Sequence, residues 1–420
     1  MRVIHRPLIS LQEGCWFKLI GGASYQHLPS IRNLALAYAL AGADCIDVAA
    51  DPAVVKAVKE AFSILSRLQQ LPAFVAQCPV DIPTELPLLM VSFSDGDDPH
   101  FRKAQFDPQQ CPADCSRPCE AICPAAAIAF EPPMTGVIEA RCYGCGRCLP
   151  VCPIQHIETV TRATSAQAIA STLLNEVDAI EIHTQVGRYD AFMALWSALR
   201  PDLDDLTVIS ISCPDHDDAI AYLWQLYEGI QPLSVPLIWQ TDGRSMSGDI
   251  GKGTTHATLR FAEKVLHAGP PGYVQLAGGT NAHTVTKLRE ATATAVSQWR
   301  VPPSLITTTA RPTTRPRFAG VGYGSFARHL LSPLLDEDAI CPPLAAIAGQ
   351  ASKGDHSDDL DPAIAIPQLL QAVQLAQSLV APLKAIRHPA VPSPSISVGE
   401  ARDWGSASTE PPVYRHSSRF

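Results

Sequence analysis

The chain has 420 residues, 46% of them apolar, and a formal net charge of −9 with no run of lysine or arginine. That length and apolar content suit a globular protein with a sizeable core, in one large domain or two ordinary ones, and the acidic balance argues against nucleic acid or an anionic membrane surface as the main partner. The opening MRVIHRPLISLQEGCWFKLIGG lacks a secretory apolar run, and the most apolar segment, NLALAYALAGADCIDVAA, is cut by Asp44 and Asp47, so no membrane span and a cytoplasmic location are expected. Thirteen cysteines in such a reducing compartment point to metal or redox chemistry rather than to disulfides.

In chain order, short runs rich in apolar and β-branched residues occur at WFKLIGG (16–22), CIDVAA (45–50), PLLMVSF (87–93), AIEIHT (179–184), TVISISC (207–213), PLIWQTDG (236–243), GYVQLAGGTN (272–281) and FAGVGYGSFA (318–327). The stretches between them read as helices. Ser30 is expected to cap IRNLALAYALAG, with Gly42 at its end; PAVVKAVKEAFSILSRL follows the second strand, and AQAIASTLLNEV, YDAFMALWSAL and DAIAYLWQLYEG alternate with later strands. Eight such units predict an α/β fold, a TIM-like (β/α)8 barrel with a cysteine-rich module inserted after the third strand. A doubly wound open sheet is the alternative, because strand order cannot be read from one sequence. The expected divisions are 1–105 and 163–381 for the two parts of the barrel, 106–162 for the insert, and 382–420 for a disordered tail rich in proline and serine.

Eight of the thirteen cysteines fall between 111 and 152. Cys142, Cys145, Cys148 and Cys152 have the C-x2-C-x2-C-x3-C-P spacing with which bacterial ferredoxins wrap a [4Fe-4S] cube, and Gly144 and Gly146 allow backbone N–H groups to approach cluster sulfurs. A zinc site is the bland alternative, but zinc modules usually separate two cysteine pairs by a dozen or more residues. Upstream, CPADCSRPCEAICP places Cys111, Cys115, Cys119 and Cys123 at x3 spacing, a departure that leaves the nuclearity of its cluster open. Spacing of four would also line up one helix face, yet Pro118 disfavours a helix through the set. The two sets end in similar phrases, CPAAAIAF and CPIQHIET, and together resemble the ferredoxin-like α+β module with two clusters, in which the last cysteine of each set ligates the other cluster. By that resemblance Cys111, Cys115, Cys119 and Cys152 hold one cluster, and Cys142, Cys145, Cys148 and Cys123 the other.

Two glycine-rich loops, AGGTN after the seventh strand and GVGYGSFAR at the eighth, resemble the pair that many barrels use to hold a phosphate group. Gly278, Gly279, Gly322 and Gly324 would turn backbone N–H groups to the anion, Arg328 would add charge, and FMN or a sugar phosphate would be the ligand. Tight βα turns that need glycine explain the same residues. The loop TDGRSMSGDIGKGTTH carries Arg244, Lys252 and His256 and reads as a ligand loop or a solvated excursion; its GKGTT lacks the P-loop spacing, since Gly248 stands too close to Lys252 and Gly253 follows it. No motif for a nucleophile or a carboxylate pair stands out. Of the scattered Cys15, Cys45, Cys78, Cys213 and Cys341, the strand-end residues Cys15 and Cys213 are the candidates for reactive thiols, the bland reading being buried small hydrophobes. His156 reads as a packing or surface residue.

GCWFKLIGGASYQHLPSIRNLALAYALAGADCIDVAADPAVV, the two cysteine sets, and WQTDGRSMSGDIGKGTT followed by QLAGGTNAHTV resemble the light-dependent period family of cyanobacteria, over about residues 1–380. That resemblance implies an iron-sulfur protein that conveys cellular redox and light state to the circadian clock, with clock proteins and clock-associated histidine kinases as partners. Two functions are therefore expected to compete: a redox sensor whose clusters set partner binding, and an oxidoreductase relaying electrons through two clusters to a flavin or phosphate-bearing ligand in the barrel. The lack of an evident acid, base or nucleophile favours the sensor.

Overall fold

A computed structural model describes residues 6–96, 101–123, 125–132, 135–161, 173–203, 205–244, 251, 253–295, 316–335 and 362–386. The chain opens with β1 (Trp16–Gly22), β2 (Cys45–Ala49) and β3 (Leu88–Ser94). An insert then carries β4 (Arg102–Gln105), β5 (Ile128–Ala129), β6 (Gly136–Val137) and β7 (Glu158–Thr161). The main sheet resumes with β8 (Ala179–His183), β9 (Val208–Pro214), β10 (Leu237–Asp242), β11 (Tyr273–Ala277) and β12 (Arg317–Tyr323). All pairings outside the insert are parallel, and they close a barrel in the order β1-β12-β11-β10-β9-β8-β3-β2. The closed barrel, not the open sheet, is the fold.

Both faces of these strands are buried, which is why their sequences read as nearly continuous apolar runs. Outward residues such as Phe17, Ile46, Val91, Ile180 and Ile211 pack under the helices. Inward residues Trp16, Cys45, Met90, Ala179, Val208 and Ile238 form a separate apolar layer, capped by Leu11 of α1 (Arg6–Glu13). Burying each large aliphatic side chain contributes roughly 1.5–3 kcal/mol, so α1 both closes the barrel and gains stability from doing so.

Local rules set the helix starts. In α3 (Pro52–Leu68) Pro52 occupies the first position and the Asp51 carboxylate accepts from the N–H groups of Ala53 at 2.8 Å and Val54 at 3.3 Å. The preceding helix, α2 (Leu28–Leu40), starts earlier than expected. Pro29 fits its first turn, and Ser30 is inside the helix with its hydroxyl 2.7 Å from His27 Nδ1 instead of capping it. Gly42, at φ 94°, ends the segment as anticipated. The remaining helices are α4 (Pro72–Gln77), α5 (Pro118–Ile122) and α6 (Cys148–Val151) up to the end of the insert. After it come α7 (Tyr189–Leu199), α8 (Ala219–Gly229), α9 (Thr255–Ala268), α10 (Thr284–Ala295), α11 (Ser325–Leu335) and α12 (Pro362–Lys384). Most of the expected helix over AQAIASTLLNEV lies outside the described residues; Leu174–Glu176 form a short 3-10 turn.

The last helix is pinned at its end. Lys384 forms an ion pair with the buried Asp44 carboxylate and donates to Ser10 Oγ at 3.0 Å, while Asp44 also accepts from the Phe17 N–H at 2.7 Å. Packed chain thus continues past the expected boundary at 382, and residues from 387 onward lie outside those described. Among the described residues no helix is long and apolar enough to cross a membrane.

Candidate functional site

The insert leaves β3 at the C-terminal end of the barrel strands. Its base is the antiparallel pair β4–β7, and β5–β6 form a second short pair. Each half contributes one short helix, α5 or α6, and these two pack together. Cys119 lies in α5 and Cys123 immediately after it; Cys148 begins α6 and Cys152 follows it. Pro118 therefore starts a helix rather than interrupting one. Gly144 and Gly146 adopt φ of 71° and 72° on either side of Cys145, a conformation that side chains with a Cβ resist.

Two cavities result. Cys142, Cys145 and Cys148 line one together with Cys123 from the other half, and Cys111, Cys115, Cys119 and Cys152 line the second. Among the described residues no three His, Cys, Asp or Glu side chains converge on a single metal-ion position; each set of four instead surrounds its cavity. Backbone N–H groups point at the sulfurs, from Ala104 to Cys142 at 3.3 Å, Ala127 to Cys123 at 3.2 Å and His156 to Cys152 at 3.4 Å. Such bonds favour thiolates.

Burial pushes the Cys148 thiol up to about 12, with the neighbouring Cys145, Cys142 and Cys123 adding to the rise. Burial likewise raises Cys111, Cys119, Cys123 and Cys145. Cys152 moves the other way: slight burial raises it, but the N–H groups of His156 and Ile154 lower it more. Four thiolates crowded together repel one another, and a cationic iron core held by them would relieve that repulsion and displace their protons. The donor set fits an iron-sulfur group. His156, expected only to pack, also lines the second cavity and stands 3.0 Å from the Asp107 carbonyl and 6.2 Å from the Phe106 ring.

The first cavity adjoins the barrel mouth. Tyr143 lines both. Its ring receives the Arg328 guanidinium on its face, with Cζ 4.3 Å from the centroid, and meets Tyr25 edge-on at 6.0 Å. Burial pushes the Tyr143 hydroxyl up to about 12 against the opposing pull of Arg328. Lys103, buried in β4, anchors the insert to the loop after β1 by donating to Gln26 Oε1 at 2.8 Å and the Glu139 carbonyl at 2.7 Å.

Of the expected phosphate-site residues, Gly278, Gly279, Gly324 and Arg328 line the mouth, as does Arg244. Gly322 does not; it lies inside β12, where a Cβ would stand 2.9 Å from Gln275 Nε2. A Cβ at Gly278 would stand 2.6 Å from the Arg244 carbonyl, so packing between adjacent loops also requires that glycine. His256 is in the first turn of α9 and away from the mouth lining, while Lys252 and Gly248 lie outside the described residues. The two candidate reactive thiols, Cys15 and Cys213, are both buried. Burial raises Cys15, and it pushes Cys213 up to about 12 with Asp242 adding to the effect. Cys45 and Cys78 are raised by burial as well, and Cys341 lies outside the described residues.

Beneath the mouth lies a polar layer that sequence reading missed. Lys18 of β1, fully buried, is ion-paired with Glu181 of β8 and stands 3.4 Å from Asp47 of β2. Glu181 also accepts from Ser210 Oγ and Gln240 Nε2, each at 2.8 Å, and has His183 Nε2 at 3.1 Å. Gln275 extends the network, donating to Gln240 Oε1 at 2.6 Å and accepting from Trp16 Nε1 at 2.8 Å. Burial alone would lower Lys18, but Glu181 and Asp47 raise it above the ordinary lysine value. Burial would raise Glu181, yet Lys18 and His183 hold it below the carboxylate range. Lys18 thus sits as the cationic partner of two carboxylates at the centre of this layer. His183, edge-on to Phe101 at 5.6 Å, carries the network up to the mouth. The signal was a single charged residue at alternate positions of otherwise apolar strands: Lys18 in WFKLI, Asp47 in CIDVA, Glu181 in AIEIH.

Comparison with known proteins bears on the same two parts. A family model described as the LdpA Fe-S cluster-binding domain matches residues 111–163, and one described as the light dependent period A C-terminal domain matches 172–382. Light dependent period A of Synechococcus elongatus (strain ATCC 33912 / PCC 7942 / FACHB-805) is 50% identical over 380 residues, covering 90% of this chain and 94% of the relative. The chain belongs to the light dependent period A family and contains an iron-sulfur cluster-binding domain.

Proposed function

We propose that this protein is a redox sensor of the light-dependent input to the circadian clock, carrying two [4Fe-4S] clusters whose state sets its binding to clock proteins and clock-associated histidine kinases in the cytoplasm. The crossed lining of the two cavities carries the reading: Cys123 stands with the downstream set and Cys152 with the upstream one, as expected of a module with two clusters. The light-dependent period name of the relative supports the clock context. When bound, each cluster supplies a one-electron redox change. The chain's residues hold the thiolates, aim N–H groups at them and exclude water with Phe106, Phe130, Ile128 and Ile157. A change of cluster charge alters the loops around Ile122 and Ile154, which are 37% and 45% exposed and offer apolar contact to a partner.

The test compares reduced, oxidised and cluster-free protein for binding to clock proteins from the same cells. Affinity is expected to differ between the forms, and equal affinity in all three would overturn the sensor. One observation favours a second reading, an oxidoreductase: Tyr143 is shared between the cysteine cavity and the barrel mouth. Steady oxidation of a reduced nucleotide by the purified protein would establish that reading instead.

A further inference from the structure

Arg328 is a buried cation without a buried counter-ion. It is 6% exposed, and among the described residues no carboxylate forms an ion pair with it. Nη1 donates to the Ile20 carbonyl at 2.7 Å and Nη2 to Ser325 Oγ at 3.1 Å, while the buried Nε has no hydrogen-bond partner. The face of Tyr143 offsets only part of the cost of holding a guanidinium out of water. Around it the mouth carries groups suited to an anion, with one carboxylate in its lining, Asp242, which accepts from Ser212 Oγ. The turn after β11 brings Gly278 and Gly279 in with φ of 62° and 102°, and Gly324 and Ser325 open α11 on the other side, where first-turn N–H groups lack intrahelical acceptors. Arg244 stands exposed at the rim. The mouth has a cavity volume of about 60 Å³ and opens to solvent, so the organic part of a ligand held there by its phosphate extends outward.

We propose that the barrel mouth binds the phosphate group of a small phosphomonoester, with Arg328 as its buried counter-charge and Arg244 at its rim, and that this ligand is coupled to the adjacent cysteine cavity through Tyr143. Binding does not depend on the cluster assignment; the coupling rests on it. A bound dianion cancels the positive field of Arg328 beside that cavity, so an electron added there is less stabilised. By reciprocity the reduced protein binds phosphate more weakly.

The experiment is calorimetric titration of the anaerobically purified full chain with inorganic phosphate and with FMN, sulfate serving as the anion control and iron and sulfide being measured on the same samples. Phosphate is expected to bind at one site. FMN binding more tightly identifies a flavin nucleotide as the source of the phosphate, whereas equal affinity identifies the phosphate group alone as what is recognised. Arg328→Gln is expected to weaken binding roughly 30-fold or more, the loss of charged hydrogen bonds, and Arg244→Gln about 5-fold. Because Arg244 is exposed, its variant folds and decides the matter if Arg328→Gln does not. No binding of either ligand by iron-replete protein, phosphate no tighter than sulfate, or unchanged affinity in folded variants overturns the site. Reduction with dithionite is expected to weaken phosphate binding roughly five-fold; equal affinities overturn the coupling alone. Iron-free protein that still binds phosphate would count against the cluster reading and leave this site standing.

Discussion

Replacing Glu181 with glutamine tests whether the polar layer inside the barrel works as one charged unit. The carboxylate holds Lys18, Ser210 Oγ, Gln240 Nε2 and His183 Nε2 on two oxygens. A glutamine of the same shape has one oxygen and one NH2 group, so a donor must face donors on one side, and Lys18 loses its nearest counter-charge. Breaking a buried pair typically costs 3–5 kcal/mol, and a buried hydrogen bond left unmade about 1–3 kcal/mol. Asp47, 3.4 Å from Lys18, offsets part of the loss, which sets the expectation at about 3 kcal/mol out of a total stability on the order of 5–15 kcal/mol. Urea unfolding under anaerobic conditions, followed by fluorescence of the buried Trp16 and Trp239, measures it. Adding Lys18→Met removes the orphaned ammonium, so the double variant is expected to lose less than the sum of the single losses by about 2 kcal/mol. A single variant within about 0.5 kcal/mol of the parent, or strictly additive losses, would refute the reasoning.

Three further outcomes are expected. Asp47 is pushed up to about 6 by burial, with Lys18 pulling down and Glu181 pushing up; a raised carboxyl contributes stability that is complete below its unfolded pKa near 4 and is lost as pH rises through about 6. Asp47→Asn should therefore flatten the stability profile between about pH 4 and 6, and an unchanged slope there would show that Asp47 titrates normally. Cys145→Ser should lower the iron content from about eight to about four atoms per chain while far-UV circular dichroism stays unchanged; zinc in place of iron in the parent would remove the basis for both numbers. Cys45 and Cys213 should resist iodoacetamide at about pH 8 until the barrel is unfolded, because burial raises both thiols, and mass spectrometry showing either modified in native protein would contradict the packing.

The barrel was legible because each strand is buried on both faces and so stands out as a short apolar run between helical segments. Closure was not, since pairing β1 with β12 joins residues such as Trp16 and Gly320 that lie at opposite ends of the chain. The cysteine sets were legible from spacing, and so was the insert that holds them. Lys18, Asp47 and Glu181 escaped because each run was weighed by its overall hydrophobicity, while what matters is which face a residue takes and what a distant strand brings opposite it. The same holds for Ser30, whose local capping signal yields to Pro29 two residues into the helix. Tyr143 gave no signal at all in one dimension: its importance arises from Arg328, far away in the chain.

That last contact lies on the rim from which the insert leaves the third strand. Loops at the C-terminal end of parallel barrel strands are where such folds place ligands, and an insert leaving β3 emerges on that rim. Gln26 and Ala140 join the first loop to the module through the Gln26 N–H donating to the Ala140 carbonyl at 3.0 Å, next to the Lys103 bonds. Asp95, just past β3, is held by Arg188 Nε at 2.8 Å and by the Thr184 hydroxyl, so the next rim loop braces the point of departure. The module is tied at its base and touches Arg328 through Tyr143, which also lines the mouth. The network from Lys18 through Glu181 to His183 reaches the mouth from below. Charge at the cysteines and charge in the mouth would then be felt by the same few side chains, Tyr143 and Arg328 first among them, which is the ground of the proposed coupling.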